Sequence, residues 1–191
     1  FKSVVGHVKA VDGVDLDVIR GEVLGLVGES GCGKSTLISA ILRLIAPNTR
    51  FRSGEVRFKG EDLRTAPERK IRDLRGDDIS IVFQDPMQTH NPVISIGQQM
   101  VDIQHRSKAG KAAKLETAAA MLGAVGIPDP AARLRQFPHE FSGGMRQRIA
   151  IAMALMSEPD LLIADEPTTA LDATLEVQII ERLKDLQRDF G

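Results

Sequence analysis

Cysteine is almost missing from this chain: Cys32 stands alone among 191 residues. A single thiol excludes an internal disulfide and points to a reducing, cytosolic setting. Missing too is any apolar run near the roughly 20 residues needed to span a bilayer. Phe1-Lys2-Ser3 does not open a signal peptide, so the sequence reads as a chain soluble by itself. Charge of one sign is also lacking, since 25 basic residues face 26 acidic ones. That balance leaves no global basic field for an anionic membrane, and no nucleic-acid partner is expected. His7, His90, His105 and His139 show no metal-ligand spacing, and no internal repeat or low-complexity tract is present. What remains is length enough for one well-buried α/β core with a smaller attached lobe.

What is present concentrates in nine residues, Gly28-Glu29-Ser30-Gly31-Cys32-Gly33-Lys34-Ser35-Thr36. They fit the phosphate-binding pattern G-x-x-x-x-G-K-[ST] and follow the apolar run Val23 to Val27, which reads as a buried strand leading through a loop into a helix. A triphosphate packs several negative charges on a small body, so its cradle must offer many donors and few side chains. Positive φ at Gly28, Gly31 and Gly33 is expected to turn backbone N–H groups inward as an anion nest. The helix starting near Lys34 adds its unpaired first-turn amides. Lys34 is expected to reach the β- and γ-phosphates and the Ser35 hydroxyl to hold Mg2+. Cys32 reads as a small residue that fits the loop.

Around this loop, Val8 to Ile19 alternates as an antiparallel strand turning at Asp12-Gly13, and Arg20-Gly21-Glu22 turns the chain into the next strand. Leu37, Ile38, Ile41, Leu42 and Ile45 lie at helical spacing ahead of Pro47-Asn48. A strand over 54–59, a polar helix over 67–74 and a buried strand over 79–83 follow, and together these pieces predict an open α/β sheet. Residues 86–140 read as an inserted helical lobe, with helices over 96–105 and 111–125. Within it Ala112, Ala113, Leu115, Ala118, Ala119 and Leu122 are expected packing residues. A buried helix over 143–156, a fully buried strand over 161–164 and an amphipathic helix over 174–188 complete the chain.

The strand at Leu161 to Ala164 ends in Asp165-Glu166, two carboxylates that a buried position tolerates only when paired or bound to a cation. At a parallel strand's carboxyl end Asp165 is expected beside the phosphate loop, holding Mg2+ through water. Glu166 is left to orient and deprotonate an attacking water; its alternative role is an acid placed before Pro167. Gln84, at the end of another strand, offers a neutral amide to both the metal and that water. Ser142-Gly143-Gly144 opens the next helix as a second anion site, with Ser142 as N-cap. One nucleotide does not need two such sites in one protomer, so the second most simply serves a nucleotide held by another copy in a head-to-tail pair.

The ordered set of phosphate loop, Gln84, SGG with a basic helix, and LLIADEP with TALD at Thr169 to Asp172 resembles the ABC-type ATPase domain over essentially the whole chain. The stretches VKAVDGV, QDPMQTHNPV, FPHEFSGGMRQR and IADEPTTALD narrow the likeness to the ATP-binding subunit of an oligopeptide or dipeptide importer. The resemblance implies a P-loop NTPase (RecA-like) α/β core over 1–85 and 141–191, with an N-terminal antiparallel β subdomain. It implies that 86–140 faces the membrane subunits. Glu29, Ser30, Thr36 and the other loop residues, with Lys34, Ser35, Gln84, Asp165 and Glu166, would serve one ATP with Mg2+. Ser142, Gly143 and Gly144 would cap the partner's ATP, with Asp172 at the cross-dimer contact.

The implied partners are a second, related ATPase, two transmembrane permease subunits and an extracytoplasmic solute-binding protein, on the cytoplasmic face of the cell membrane. Met145 stands where many signatures carry glutamine, which favours a heterodimer. His90 stands at a position usually apolar. Phe1 is a candidate to stack on adenine, and a switch histidine is expected beyond Gly191. A DNA-repair ATPase is disfavoured by the lack of a long coiled-coil insert, and a small-molecule kinase would leave Ser142-Gly143-Gly144 without purpose. A nucleotide-binding regulatory subunit remains as a rival class.

Overall fold

The computed structural model describes residues 2–3, 6–85 and 89–167, with positions 177, 180, 181, 184, 185, 187 and 188 near the end. Phe1, Asp172 and most of the expected closing helix lie outside the described residues. The chain divides into two compact units, Phe1–Arg75 and Gly76–Gly191.

In the first unit, β1 (Lys2–Ser3) and β2 (Gly6–His7) pair antiparallel. Helix α1 spans Lys34–Ile41, and β3 (Arg57–Phe58) turns back on β4 (Glu61–Asp62) before α2 (Glu68–Leu74). The expected strands over 8–19 and 23–27 are not formed. The 23–27 run is not buried either: Val23 is 62% and Val27 94% exposed. A strand persists only when its N–H and C=O groups meet a neighbour, and no strand pairs with this stretch among the described residues. Alternating side chains can mark a face without supplying the ladder. The turn at Arg20 to Glu22 does form, closed by the Glu22 amide on the Ile19 carbonyl at 3.0 Å.

Helix α1 stops at Ile41 although its apolar spacing continues to Ile45. Arg43 takes a left-handed φ of 52°, the Leu44 amide reaches back to the Ser39 carbonyl at 2.8 Å, and the Arg43 amide reaches Ala40 at 3.0 Å. These two bonds close a Schellman turn with an arginine where glycine is usual. Two guanidinium groups hold it. Arg75 donates from Nε to the Leu42 carbonyl at 2.8 Å and from Nη2 to Arg43 at 3.1 Å, placing a cation at the negative end of the helix. Arg43 itself donates to the carbonyls of Leu63 and Ala66, and both arginines pair with Glu68. Arg75→Ala in the full-length chain is expected to lower stability by about 1–3 kcal/mol, the worth of a charge-assisted bond or two. Urea denaturation of Arg75→Ala beside Arg75→Lys checks this; equal midpoints for Arg75→Ala and wild type would mean that the cap contributes nothing.

In the second unit, β5 (Ile79–Val82) and β6 (Leu161–Ala164) run parallel, with Ile79 opposite Leu161 and Val82 opposite Ala164. A parallel pair needs a long crossover. Here it carries α3 (Ile96–Ile103), α4 (Lys111–Ala124), the short α5 (Pro130–Arg133), a 3-10 turn at Pro138–Glu140, and α6 (Gly143–Leu155). Val82, Ile96, Met100, Ala118, Leu122, Ile149 and Ala152 interlock as the core. Full burial of such a Leu or Ile stabilises by about 1.5–3 kcal/mol. Gly97 lets α3 approach closely, since a Cβ there would stand 2.7 Å from the Leu134 carbonyl oxygen.

Three expectations need correction. The described strands form three separate two-stranded ladders, and only β5 and β6 pair in parallel, because the 23–27 run and β3 join neither. β6 is half-buried with Ala164 exposed, since it has a ladder partner on one side only among the described residues. Ala112 and Ala113 are exposed, while Ala118 and Leu122 carry the packing of α4. The helix over 143–155 is buried along its second half as expected. Among the described residues no helix is long and apolar enough to cross a membrane.

Candidate functional site

The expected phosphate loop, residues 28–36, lies in the first unit. Gly31 and Gly33 take φ of 81° and 105°, and Gly33 is the N-cap of α1. A Cβ on Gly33 would sit 2.5 Å from the Ala10 carbonyl oxygen, so both the conformation and the space require glycine there. Gly28 differs from expectation, as it has no positive φ. Its missing side chain instead makes room for Cys32, whose Sγ would stand 2.7 Å from a Cβ. Cys32 is exposed and its amide reaches the Glu29 carbonyl at 3.3 Å, which closes the loop on itself. Lys34 folds back over this turn: its Nζ donates to the carbonyls of Gly28 at 2.8 Å and Glu29 at 3.1 Å. An ammonium is thus held at the mouth of the loop by acceptors that an anion can replace.

The second unit holds the strand-end carboxylates. The Asp165 amide donates to the Val82 carbonyl at 2.9 Å, extending the parallel ladder by one step beyond β6. That fixes where the chain leaves the sheet, and Glu166 follows with φ of 46°. A residue before proline favours extended backbone, so this left-handed value ahead of Pro167 is strained. The turn brings Glu166 to Gln84: Nε2 of Gln84 donates to Oε2 of Glu166 at 2.9 Å. One carboxylate oxygen is oriented and the Gln84 carbonyl oxygen remains an acceptor. Two expected site residues, distant in the chain, therefore meet at adjacent strand ends.

Ser142 caps α6, its Oγ accepting from the Met145 amide at 3.3 Å. The amides of Gly143 and Gly144 precede the first intrahelical bond, from the Arg146 amide to the Ser142 carbonyl at 2.9 Å. A Cβ on Gly143 would meet nothing within 4 Å, so the turn is open on that side. Sequence reasoning missed what braces this turn. The Arg146 Nη1 donates to the Phe141 carbonyl at 2.6 Å, and His90, only 4% exposed, lies with Nε2 3.0 Å from the Arg146 carbonyl. Gln147 is buried at 2% exposure. Burial pushes the His90 imidazole below its ordinary pKa, with the Arg146 charge adding to that and the hydrogen bond opposing it. The contact joins residues 56 apart, so no local pattern announces it.

The model of the family described as ABC transporter matches residues 11–169. The chain belongs to that family. It is 50% identical to the dipeptide transport ATP-binding protein DppD of Bacillus subtilis (strain 168), over 98% of this chain and 57% of that protein. The oligopeptide transport ATP-binding protein OppD of the same organism is 49% identical over 98% of this chain and 53% of its own length. The chain thus spans about half the length of these relatives. Among solved structures it resembles a dimeric bacterial ABC transporter cassette at a TM-score of 0.82, with 28% identity over 95% of this chain and 76% of that one. A dimeric ATP-binding cassette in a post-hydrolysis state with ADP and Pi gives 0.81 over the same shares and identity. The fold is therefore the α/β P-loop NTPase cassette.

Proposed function

We propose that this chain is the ATP-binding and ATP-hydrolysing part of an importer subunit for peptides or similar solutes. The observation that carries the reading is the Gln84 to Glu166 contact of 2.9 Å at the ends of β5 and β6, in a family member half-identical to a peptide-transport ATP-binding protein. In this reading Gly28 to Thr36 cradle the triphosphate and Lys34 moves from its loop carbonyls onto the β- and γ-oxygens. Ser35, Gln84 and Asp165 supply hydroxyl, amide and carboxylate oxygens, a hard-oxygen set that suits Mg2+. Bound there, the metal would neutralise charge on the phosphates. Glu166 takes a proton from a water whose oxygen forms a bond to the γ-phosphorus as the bond to the β-bridging oxygen breaks.

Ser142, Gly143 and Gly144 act on the nucleotide of a second, related ATPase, with Asp172 at the contact between them. That contact exists only when the γ-phosphate is present and the pair is closed, which is how ATP biases the assembly. Residues 86–140 face two permease subunits at the cytoplasmic side of the membrane, and a solute-binding protein delivers cargo outside. The test is reconstitution of the full-length chain with the second ATPase, permeases and receptor in vesicles. Vanadate-sensitive ATP hydrolysis coupled to peptide uptake is expected. Nucleotide binding without turnover would make the chain a regulatory subunit instead.

A further inference from the structure

Among the described residues, the first turn of α6 is braced by its own side chains and, from outside, by His90. Ser142 and the Arg146 guanidinium bind within the turn, whereas His90 reaches the Arg146 carbonyl from the stretch that follows Gln84. That carbonyl also belongs to the helix ladder, and its second lone pair takes the imidazole, so α6 can remain helical without it. A carbonyl only accepts; Nε2 therefore carries the hydrogen and Nδ1 the lone pair, and Nδ1 is buried with no hydrogen-bond partner among the described residues. On its other side the stretch is pinned to α3. Gln99 accepts from the Asn91 amide at 2.9 Å and donates to the carbonyls of Asn91 at 3.0 Å and Ile94 at 2.7 Å. Two consecutive residues thus connect α3 to the turn that bears Ser142, Asn91 through its hydrogen bonds to Gln99 and His90 through its bond to the Arg146 carbonyl.

We propose that His90 is a positioning residue, which locks the first turn of α6 to α3 through the His90-Asn91 stretch, so that Ser142 and Gly144 are held at fixed orientation. The role rests on the ATPase reading above. An apolar residue of similar size could fill the space but not make this bond. The charged group facing the ring is Arg146, and a proton on Nδ1 would place a second cation beside it. The folded protein therefore resists protonation more than the unfolded chain does. The stability this contributes is complete above the ordinary histidine value of 6.5 and is lost as pH falls through the lowered folded value.

Three full-length proteins test this: wild type, His90→Leu, and His90→Gln, whose amide can again donate to the carbonyl. In hydrogen exchange, His90→Leu should accelerate residues 142–147 by at least about threefold while 111–124 stay unchanged, and His90→Gln should restore protection. In the ATPase assay, His90→Leu should lower kcat by about five- to tenfold with KM for ATP held within about twofold, because the bond orients the turn and does not touch this protomer's phosphate loop. In urea, wild type should weaken between pH 7.5 and pH 5.5 more than His90→Leu does. Exchange that rises evenly across the second unit, an unchanged kcat, or His90→Gln as impaired as His90→Leu would overturn the proposal. Exchange needs no turnover, so an inactive wild type would sink the ATPase reading alone, and the protection of 142–147 would still decide on His90.

Discussion

Glu166→Gln in the full-length protein is expected to lower ATP turnover by about 10²–10⁴-fold, the worth of a positioned general base, while nucleotide affinity stays within about twofold. The substitution is nearly isosteric. Its amide oxygen can still accept from Gln84 Nε2, so the 2.9 Å contact and the strained turn at φ 46° both survive. What disappears is the ability to take a proton at pH 7, which isolates chemistry from binding. Phosphate release in a single turnover gives the rate, and equilibrium binding of labelled ATP gives the affinity. With hydrolysis blocked, the composite pair should accumulate in the closed form and elute from gel filtration as a dimer when ATP and Mg2+ are present. Turnover within tenfold of wild type would remove Glu166 from the role of base. Glu166→Ala is the less informative variant, because it also frees Gln84.

What could be read from the chain alone divides along physical lines. Helices α3, α4 and α6 and the strands at 79–82 and 161–164 follow from local periodicity and burial, and the structure has them within a residue or two. Ser142 as a cap and Gly31 and Gly33 as left-handed residues follow from stereochemistry that needs no neighbour. Failures occur where a distant group decides. The strands expected at 8–19 and 23–27 depended on partners that no alternation can specify. Helix α1 ends four residues short of Ile45 because Arg75, 33 residues beyond Leu42, takes the terminal carbonyl. The Gln84 to Glu166 bond spans 82 residues; the sequence offered each side chain a role but not their meeting. His90 stood out only as an oddity among apolar expectations, and its partner is a backbone oxygen, which has no sequence signature at all.

Lys34→Ala is expected to abolish measurable ATP binding at micromolar nucleotide, a loss of about 10²-fold or more in affinity. Each charge-assisted bond to a phosphate oxygen is worth about 1.5–3 kcal/mol, and about 1.4 kcal/mol corresponds to tenfold. Part of that gain is offset in the wild type, because Nζ must leave the Gly28 and Glu29 carbonyls at 2.8 and 3.1 Å before it can meet the ligand. Those carbonyls border an exposed loop, where water can replace the ammonium. The variant should therefore fold with almost unchanged stability. Binding and folding can be separated in one thermal-denaturation series. A ligand at a hundred times its Kd stabilises by about 2.7 kcal/mol, so wild type should gain that increment with ATP and Mg2+ while Lys34→Ala gains close to none. Lys34→Arg should recover little, since a planar fork cannot retrace the path of a compact ammonium through the turn closed by Cys32 and Glu29. If ATP stabilised Lys34→Ala as it does wild type, the loop of residues 28–36 would not be the nucleotide cradle, and the roles assigned to Ser35 and Asp165 would fall with it.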